Sequence, residues 1–342
     1  MNAMLLKNLW NLDKNSAPLE LCELPNPSIG KGEILIKVSA CGVCHTELDE
    51  IEGRTPPPRL PIIPGHQVIG KIVENGDPTS SMKIGDRVGV GWIYFSCGKC
   101  EFCKKGKENL CSEFRATGRD AHGGYAEYMA IPSTFCFPIP DQISDLEAAP
   151  LMCAGAIGYR SLKLTGIENG QTLGLIGFGA SAHLILKMVN YSYPDSNIIV
   201  FTRNPEEQRF SLCLGAAWAG DIDDKPPYLI HSIIDTTPAW KPIIKAMENL
   251  YPGGRLVINS IRKEDTDKDW LMRLEYPTHL WMEKEIKSVA NVTSADIKQF
   301  LDLAESASIR PEVQIFPLSE ANKALLELKN RNIHGAKVLA IS

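Results

Sequence analysis

The chain has 342 residues, a formal net charge of −5, 44% hydrophobic residues and 23% charged residues. That length favours two domains over one, and that balance belongs to a soluble globular protein able to build its own cores. The negative charge and the lack of a basic block exclude a general nucleic-acid binder. No uninterrupted apolar run reaches bilayer-spanning length, so no membrane partner is expected. The start MNAMLLKNLWNLDKN lacks the pattern of a signal peptide, which makes the cytoplasm the expected compartment. Thiols stay reduced there, and clustered cysteines serve as metal ligands or catalysts more often than as disulfides.

In chain order, residues 1 to about 150 read as mostly β. EILIKVSA (33–40), HQVIGKIVENG (66–76) and KIGDRVGVGWIY (83–94) are predicted strands, rich in β-branched residues and ended by turn or small residues. RTPPPRLPIIPG (54–65) reads as loop. SDLEAAPLMCAGAIGYRSLKL (144–164) opens with a Ser N-cap and acidic residues and reads as helix, with Pro150 starting or breaking it. Strand-like and helical runs then alternate. TLGLIGF (172–178), NIIVFT (197–202), LIHSIIDTT (229–237) and GRLVINS (254–260) are the strands. SAHLILKMVNYS (181–192), PEEQRFSLCLGA (205–216) and WKPIIKAMENLY (240–251) are the helices. Such alternation predicts a parallel sheet wrapped by helices. No repeat or low-complexity segment interrupts it.

The first strand of that second half runs into GFGASAH (177–183), a G-x-G-x-x-A pattern. Gly177 permits a sharp turn, Gly179 a close backbone approach to a pyrophosphate, and Ala182 close packing of helix on strand. Ala180 and Ser181 fall at the helix N-terminus, whose partial positive charge suits phosphate. The next strand ends in Thr202 and Arg203, not in the Asp or Glu that receives a ribose 2′-hydroxyl in NAD sites. With no carboxylate there to repel a 2′-phosphate and a guanidinium available to bind it, NADP is expected over NAD.

CGKCEFCKKGKENLC (97–111) carries Cys97, Cys100, Cys103 and Cys111. Four thiolates close a tetrahedral shell, so a structural zinc is expected. An iron–sulfur cluster takes the same number of cysteines, but the KKGKEN setting reads as an exposed lobe. A second constellation is dispersed: Cys41, Cys44, His45 and Thr46 in ACGVCHTEL, His66 in PGHQVIG, Cys153 in APLMCAG. Two thiolates and one imidazole would leave the open fourth position of a catalytic zinc. Spacing alone also permits a Cys41–Cys44 redox pair and a buried core thiol at Cys153.

GEILIKVSACGVCHTEL, PGHQVIGKIVENG, KIGDRVGV, the four-cysteine lobe, HGGYAEY (122–128), EAAPLMCAG, GLIGFGASAH and LGAA (214–217) stand in this order along the chain. Together they resemble the zinc-containing medium-chain alcohol dehydrogenases, bacterial members above all, over nearly the whole chain. The resemblance implies an α/β fold with two domains. A partly opened, GroES-like β-barrel forms the catalytic domain over 1–157, with the zinc lobe 97–111. A doubly wound parallel-sheet Rossmann domain spans 158–293, and 294–342 returns to the first domain.

The same resemblance implies two zinc ions per chain, a homodimer or homotetramer, and a small alcohol or aldehyde as substrate. Cys44 rather than Cys41, with His66 and Cys153, would hold the catalytic zinc. That zinc would act as a Lewis acid on the substrate oxygen, with Thr46 in the proton relay and hydride passing to or from a nicotinamide. Trp92 corresponds to a substrate-pocket aromatic and His45 to a residue approaching the cofactor pyrophosphate.

This chain departs from the family pattern at several positions. Gln67 stands where Glu often follows the ligand histidine. Asp49 stands where a histidine often completes the relay, and Glu47 replaces an Asp near the metal. Ala336 replaces a phosphate-contacting Arg, with Lys337 expected on the opposite face of the strand. Two other readings compete: a polyol or sugar dehydrogenase of the same superfamily, and a catalytically idle relative that only binds cofactor.

Overall fold

A computed structural model of the protein describes residues 1–330 and 335–341. The predicted return segment 294–342 therefore lies partly, at 331–334 and 342, outside the described residues. The chain forms two compact units. One comprises Met1–Ala156, Val292–Glu305 and Arg310–Ser342; the other comprises Ile157–Asn291 and Ser306–Ile309.

The first unit is built on the long strand Glu33–Val43, which pairs antiparallel with Val68–Asn75, Tyr128–Pro132 and Ala336–Ala340. Arg87–Val90 and Cys136–Pro138 extend the sheet on one side and Val313–Pro317 on the other. Register shifts at Leu35/Ile36 and Val38/Ala40 let the long strand change partners along its length. Such bulges increase local twist and let a sheet curl on itself. Ile34, Ile36, Val68, Ile72, Val88 and Ile131 bury their side chains in a shared core. The predicted strand over 83–94 is in fact two, Arg87–Val90 and Ile93–Phe95. Gly91 and Trp92 interrupt it, and a Cβ at position 91 would lie 3.1 Å from both Met152 O and Ile297 Cδ1. The helix expected over 144–164 begins as Asp145–Pro150 under a Ser144 capping box, then opens into a π-turn over Leu151–Gly155.

The second unit holds a parallel sheet in the order Trp218–Gly220, Asn197–Phe201, Thr172–Ile176, Ile230–Asp235, Leu250–Ile258, Glu285–Ser288. The order reverses at Thr172–Ile176, the topological switch of a doubly wound dinucleotide-binding sheet. All five residues of that central strand are buried, as strands covered on both faces require. Helices Ala180–Ser192, Pro205–Cys213 and Lys241–Glu248 follow the strands Thr172–Ile176, Asn197–Phe201 and Ile230–Asp235. Among the described residues no helix is long and apolar enough to cross a membrane.

One glycine ties the first core to the site beside it. Gly65 has φ +98°, and a Cβ there would lie 2.4 Å from Tyr125 Cδ1 and 2.9 Å from Cys41 Sγ. Both neighbours are fully buried, so neither yields cheaply. Gly65→Ala is expected to lower stability by about 3 kcal/mol, combining left-handed backbone strain with overpacking. The midpoint of a urea or guanidinium unfolding curve measures it.

Candidate metal centres and dinucleotide turn

Cys44 ends the long strand and caps the helix His45–Ile51. Its backbone N–H donates to Glu47 Oε2 at 2.8 Å, and the helix folds Glu47 back under it. His66 lies in the loop after Gly65, just before the strand Val68–Asn75. Cys153 lies in the π-turn that follows Pro150. Proline donates no backbone hydrogen bond and loosens a helical ladder, and π-turns recur at functional sites for the side chains they redirect.

These three excursions bring Cys44 Sγ, His66 Nε2 and Cys153 Sγ together, with one ligand atom from each within 4.8 Å of the others. His66 Nε2 lies 3.2 Å from Cys153 Sγ, while its Nδ1 lies 2.6 Å from Glu47 Oε1. His66 and Glu47 are almost completely buried. A ring whose Nδ1 faces a carboxylate presents Nε2 in one fixed direction, the arrangement by which proteins orient metal-binding histidines.

The electrostatics fit a cation at this point. The Cys44 thiol is held well down, first by its hydrogen bond with Cys153, against the opposing effect of burial. Cys153 is pushed well up by the same hydrogen bond and by burial. Burial works against charge on His66, but Glu47 and Cys44 outweigh it and raise the imidazole well above its ordinary range. The site thus concentrates acidic groups that share protons, and soft sulfur and imidazole donors of this kind suit zinc. Among the described residues no fourth His, Cys, Asp or Glu joins the three. Gln67 is buried and packs against Gly42, where a Cβ would come 2.7 Å from its Oε1. Cys41, fully buried with its thiol pushed well up by burial, stands outside the cluster.

The residues around the trio are placed as follows. Thr46 Oγ1 lies 3.6 Å from Cys44 Sγ, and His45 is exposed. Asp49 is buried and accepts from Arg54 Nε at 2.6 Å, a partner the sequence reading did not foresee. Trp92 packs against Phe114 with ring centroids 5.1 Å apart. Glu50 was also missed. It is 1% exposed, Oε1 has no hydrogen-bond partner among the described residues, and burial followed by Glu47 pushes its carboxyl well up. The signal lay in HTELDEI, where Glu47 and Glu50 stand three apart and share one helix face. Lys337 is buried and turned to Gln314 Oε1 and Glu327 Oε2, at 2.7 and 2.8 Å, beside Ala336.

The four cysteines of the lobe also converge within 4.8 Å. Backbone N–H groups of Cys97, Cys100 and Cys103 point to the sulfurs of Cys111, Cys97 and Cys100 at 3.4, 3.4 and 3.5 Å. Backbone donors from Lys99 and Cys100 lower the Cys97 thiol to about 7, whereas burial and then Cys100 raise Cys103 to about 11. Four sulfurs surround one point and leave no side for a substrate. The lobe is tied down where Glu108 Oε1 accepts from Ser294 N at 2.6 Å.

In the second unit Gly177 has φ +78°, and a Cβ there would strike Thr236 Oγ1 at 2.7 Å. Gly179 caps the helix Ala180–Ser192, and a Cβ on it would meet nothing within 4 Å. Ala182 is fully buried, while Ala180 and Ser181 are half-buried in the first turn. Thr202 ends the next strand and Arg203 is exposed. The expectation that no carboxylate stands at this strand end is corrected: Thr202 Oγ1 donates to Glu207 Oε2 at 2.5 Å. The acid comes from the first turns of helix Pro205–Cys213 rather than from the strand, which is why the strand-end pattern missed it.

A family model described as "Alcohol dehydrogenase GroES-like domain" matches residues 30–141. The chain is 40% identical over 332 residues to a protein of Mycobacterium tuberculosis named "Probable alcohol dehydrogenase AdhA", covering 96% of this chain and 94% of that one. It is 32% identical over 334 residues to an alcohol dehydrogenase of Geobacillus stearothermophilus, covering 94% and 96%. A cobalt- and zinc-bound thermostable alcohol dehydrogenase from Pyrobaculum aerophilum has the same fold, with a TM-score of 0.87 at 22% identity and 99% of each chain covered.

Glu47→Leu removes both the anion beside His66 Nδ1 and the acceptor of the Cys44 N–H. Two buried donors left without partners are expected to cost about 2 kcal/mol of stability, read as a lower unfolding midpoint. Glu47→Gln, which keeps an acceptor, is expected to cost less.

Proposed function

Because the chain belongs to the zinc-containing medium-chain alcohol dehydrogenase family and carries out NAD(P)-linked alcohol oxidoreduction, we propose that Cys44, His66 and Cys153 hold its catalytic zinc and that the Cys97–Cys111 lobe holds a second, structural one. The convergence of two thiols with an imidazole whose other nitrogen is committed to Glu47 carries this reading. When bound, the zinc supplies Lewis-acid polarisation of the substrate oxygen, and the nicotinamide supplies or takes up the hydride.

The chain's own residues do the rest. Glu47 fixes the tautomer and direction of His66. Thr46, its hydroxyl beside Cys44 Sγ, gives or accepts the proton of the substrate oxygen. Asp49 sits one helical turn further on, but Arg54 engages its carboxylate, so a proton passing from Thr46 to Asp49 competes with that ion pair. Trp92 contributes an apolar wall on the substrate side, suited to a small alcohol or aldehyde. His45, exposed at the helix start, is assigned to contact the cofactor pyrophosphate.

The unit around the parallel sheet binds the dinucleotide across Gly177, Gly179, Ala180, Ser181 and Ala182. Arg203, exposed beside Thr202, inclines the site toward NADP. All ten cysteines are free thiols, which suits a cytoplasmic protein. The sheet ends at Glu285–Ser288, whose four residues are all exposed, Ile286 among them, and Tyr276 and Trp281 are exposed close by in sequence. An uncovered strand edge of this kind leaves backbone groups that a second copy can pair with, so the protein is read as a homo-oligomer.

Thr46→Val is expected to lower turnover at least 100-fold, with Asp49→Asn losing less than tenfold, in steady-state kinetics across pH; equal losses would restore Asp49 to the relay. Elemental analysis is expected to find two zinc ions per chain. Cys153→Ala should lose one and turnover while the melting temperature holds. Cys103→Ser should lose the other and lower the melting temperature.

A further inference from the structure

At the end of strand Asn197–Phe201 the backbone and side chains hold one carboxylate in a fixed place. The Thr202 hydroxyl, 9% exposed, donates to Glu207 Oε2 at 2.5 Å. The same hydroxyl oxygen accepts from the Asn204 N–H at 3.4 Å, and Gln208 Nε2 donates to the Thr202 carbonyl at 2.7 Å. Asn204 caps the helix, its Oδ1 accepting from Glu206 N at 2.9 Å. Glu207 is therefore half-buried and oriented, whereas Arg203 beside it is exposed. Parallel sheets receive the adenosine ribose of a dinucleotide outside the carboxyl end of this second strand.

We propose that Glu207, oriented by Thr202, is a specificity-determining residue for the 2′ position of the adenosine ribose. This rests on the dinucleotide reading of the unit given above. Glu207 accepts a hydrogen bond from the 2′-hydroxyl of NAD and opposes the 2′-phosphate of NADP, which carries about −1.5 to −2 charge near neutral pH. A cation and an anion then share one strand end. Arg203 attracts the phosphate, Glu207 resists it, and their difference sets how far NADP leads NAD, so specificity is built partly from a repulsive element. An acid in the first turns of a helix also favours the helix dipole, but that role treats the two cofactors alike.

The test is equilibrium binding of NAD and of NADP to the full chain by calorimetry, with no turnover involved. Glu207→Gln keeps the shape and an acceptor. It is expected to raise NADP affinity relative to NAD by about tenfold, most strongly at low salt, because the repulsion is screened by ions. Thr202→Val, which frees the carboxylate, should move the ratio the same way by a smaller factor, and Arg203→Ala should move it the opposite way. A ratio within twofold of the parent in both Glu207→Gln and Thr202→Val overturns the assignment while leaving the dinucleotide site standing. A parent chain that binds neither nucleotide overturns both.

Discussion

The 2.6 Å contact between Glu47 and His66 is the constraint on which the first site turns. Cys44 sits on a strand end and His66 in a loop, and each has other directions open to it. Glu47 removes that freedom by holding both at once, taking the Cys44 N–H with one oxygen and His66 Nδ1 with the other. The carboxylate is buried, a placement a polar group tolerates only when its partners are present. The seven-residue helix His45–Ile51 carries Glu47 directly beneath Cys44. Antiparallel pairing of Cys41 with Val68, continued by Gly42 N donating to Gln67 O at 2.9 Å, sets the loop that carries His66 beside the end of Glu33–Val43.

The dinucleotide half is organised by backbone rather than by a charged contact. Gly177 adopts a left-handed conformation against Thr236, Gly179 opens onto free space, and Ala182 lets the helix lie close on the sheet. Charge enters at the neighbouring strand end, where Thr202 aligns Glu207 beside Arg203. Phosphate recognition by a helix start is common to all dinucleotides, so discrimination among them falls to side chains at the ribose.

How much of this was legible in the sequence follows from how local each feature is. The strand–glycine–helix pattern at 172–183 and the capped helix after Ser144 are set by neighbours in sequence, and both formed where the pattern placed them. The four-cysteine cluster was legible for the same reason, all its donors lying within residues 97–111. The trio at 44, 66 and 153 was not legible from spacing, because only the folded barrel brings those positions together; resemblance to a family of known pattern supplied the grouping. Side chains that answer to their own helix were missed: Arg54 on Asp49, the buried Glu50, and Glu207 behind Thr202. Each is a charged residue in a polar stretch, indistinguishable in sequence from a solvated one.

The two cysteine clusters differ in what neutralises them, and that difference separates their roles. In the lobe, sulfurs accept from backbone N–H groups of the lobe's own cysteines, so the site is a property of a short chain segment. Four sulfurs around one point fill a tetrahedral shell by themselves. In the trio the thiols meet instead an imidazole that Glu47 orients from another element, and among the described residues no fourth donor closes the remaining side. An open side in a dry site strengthens any polar group that enters it, because little solvent screens the interaction. On the proposed reading, density of cysteines marks the brace and sparseness marks the chemistry. A centre that must bind and release a substrate cannot close its own shell.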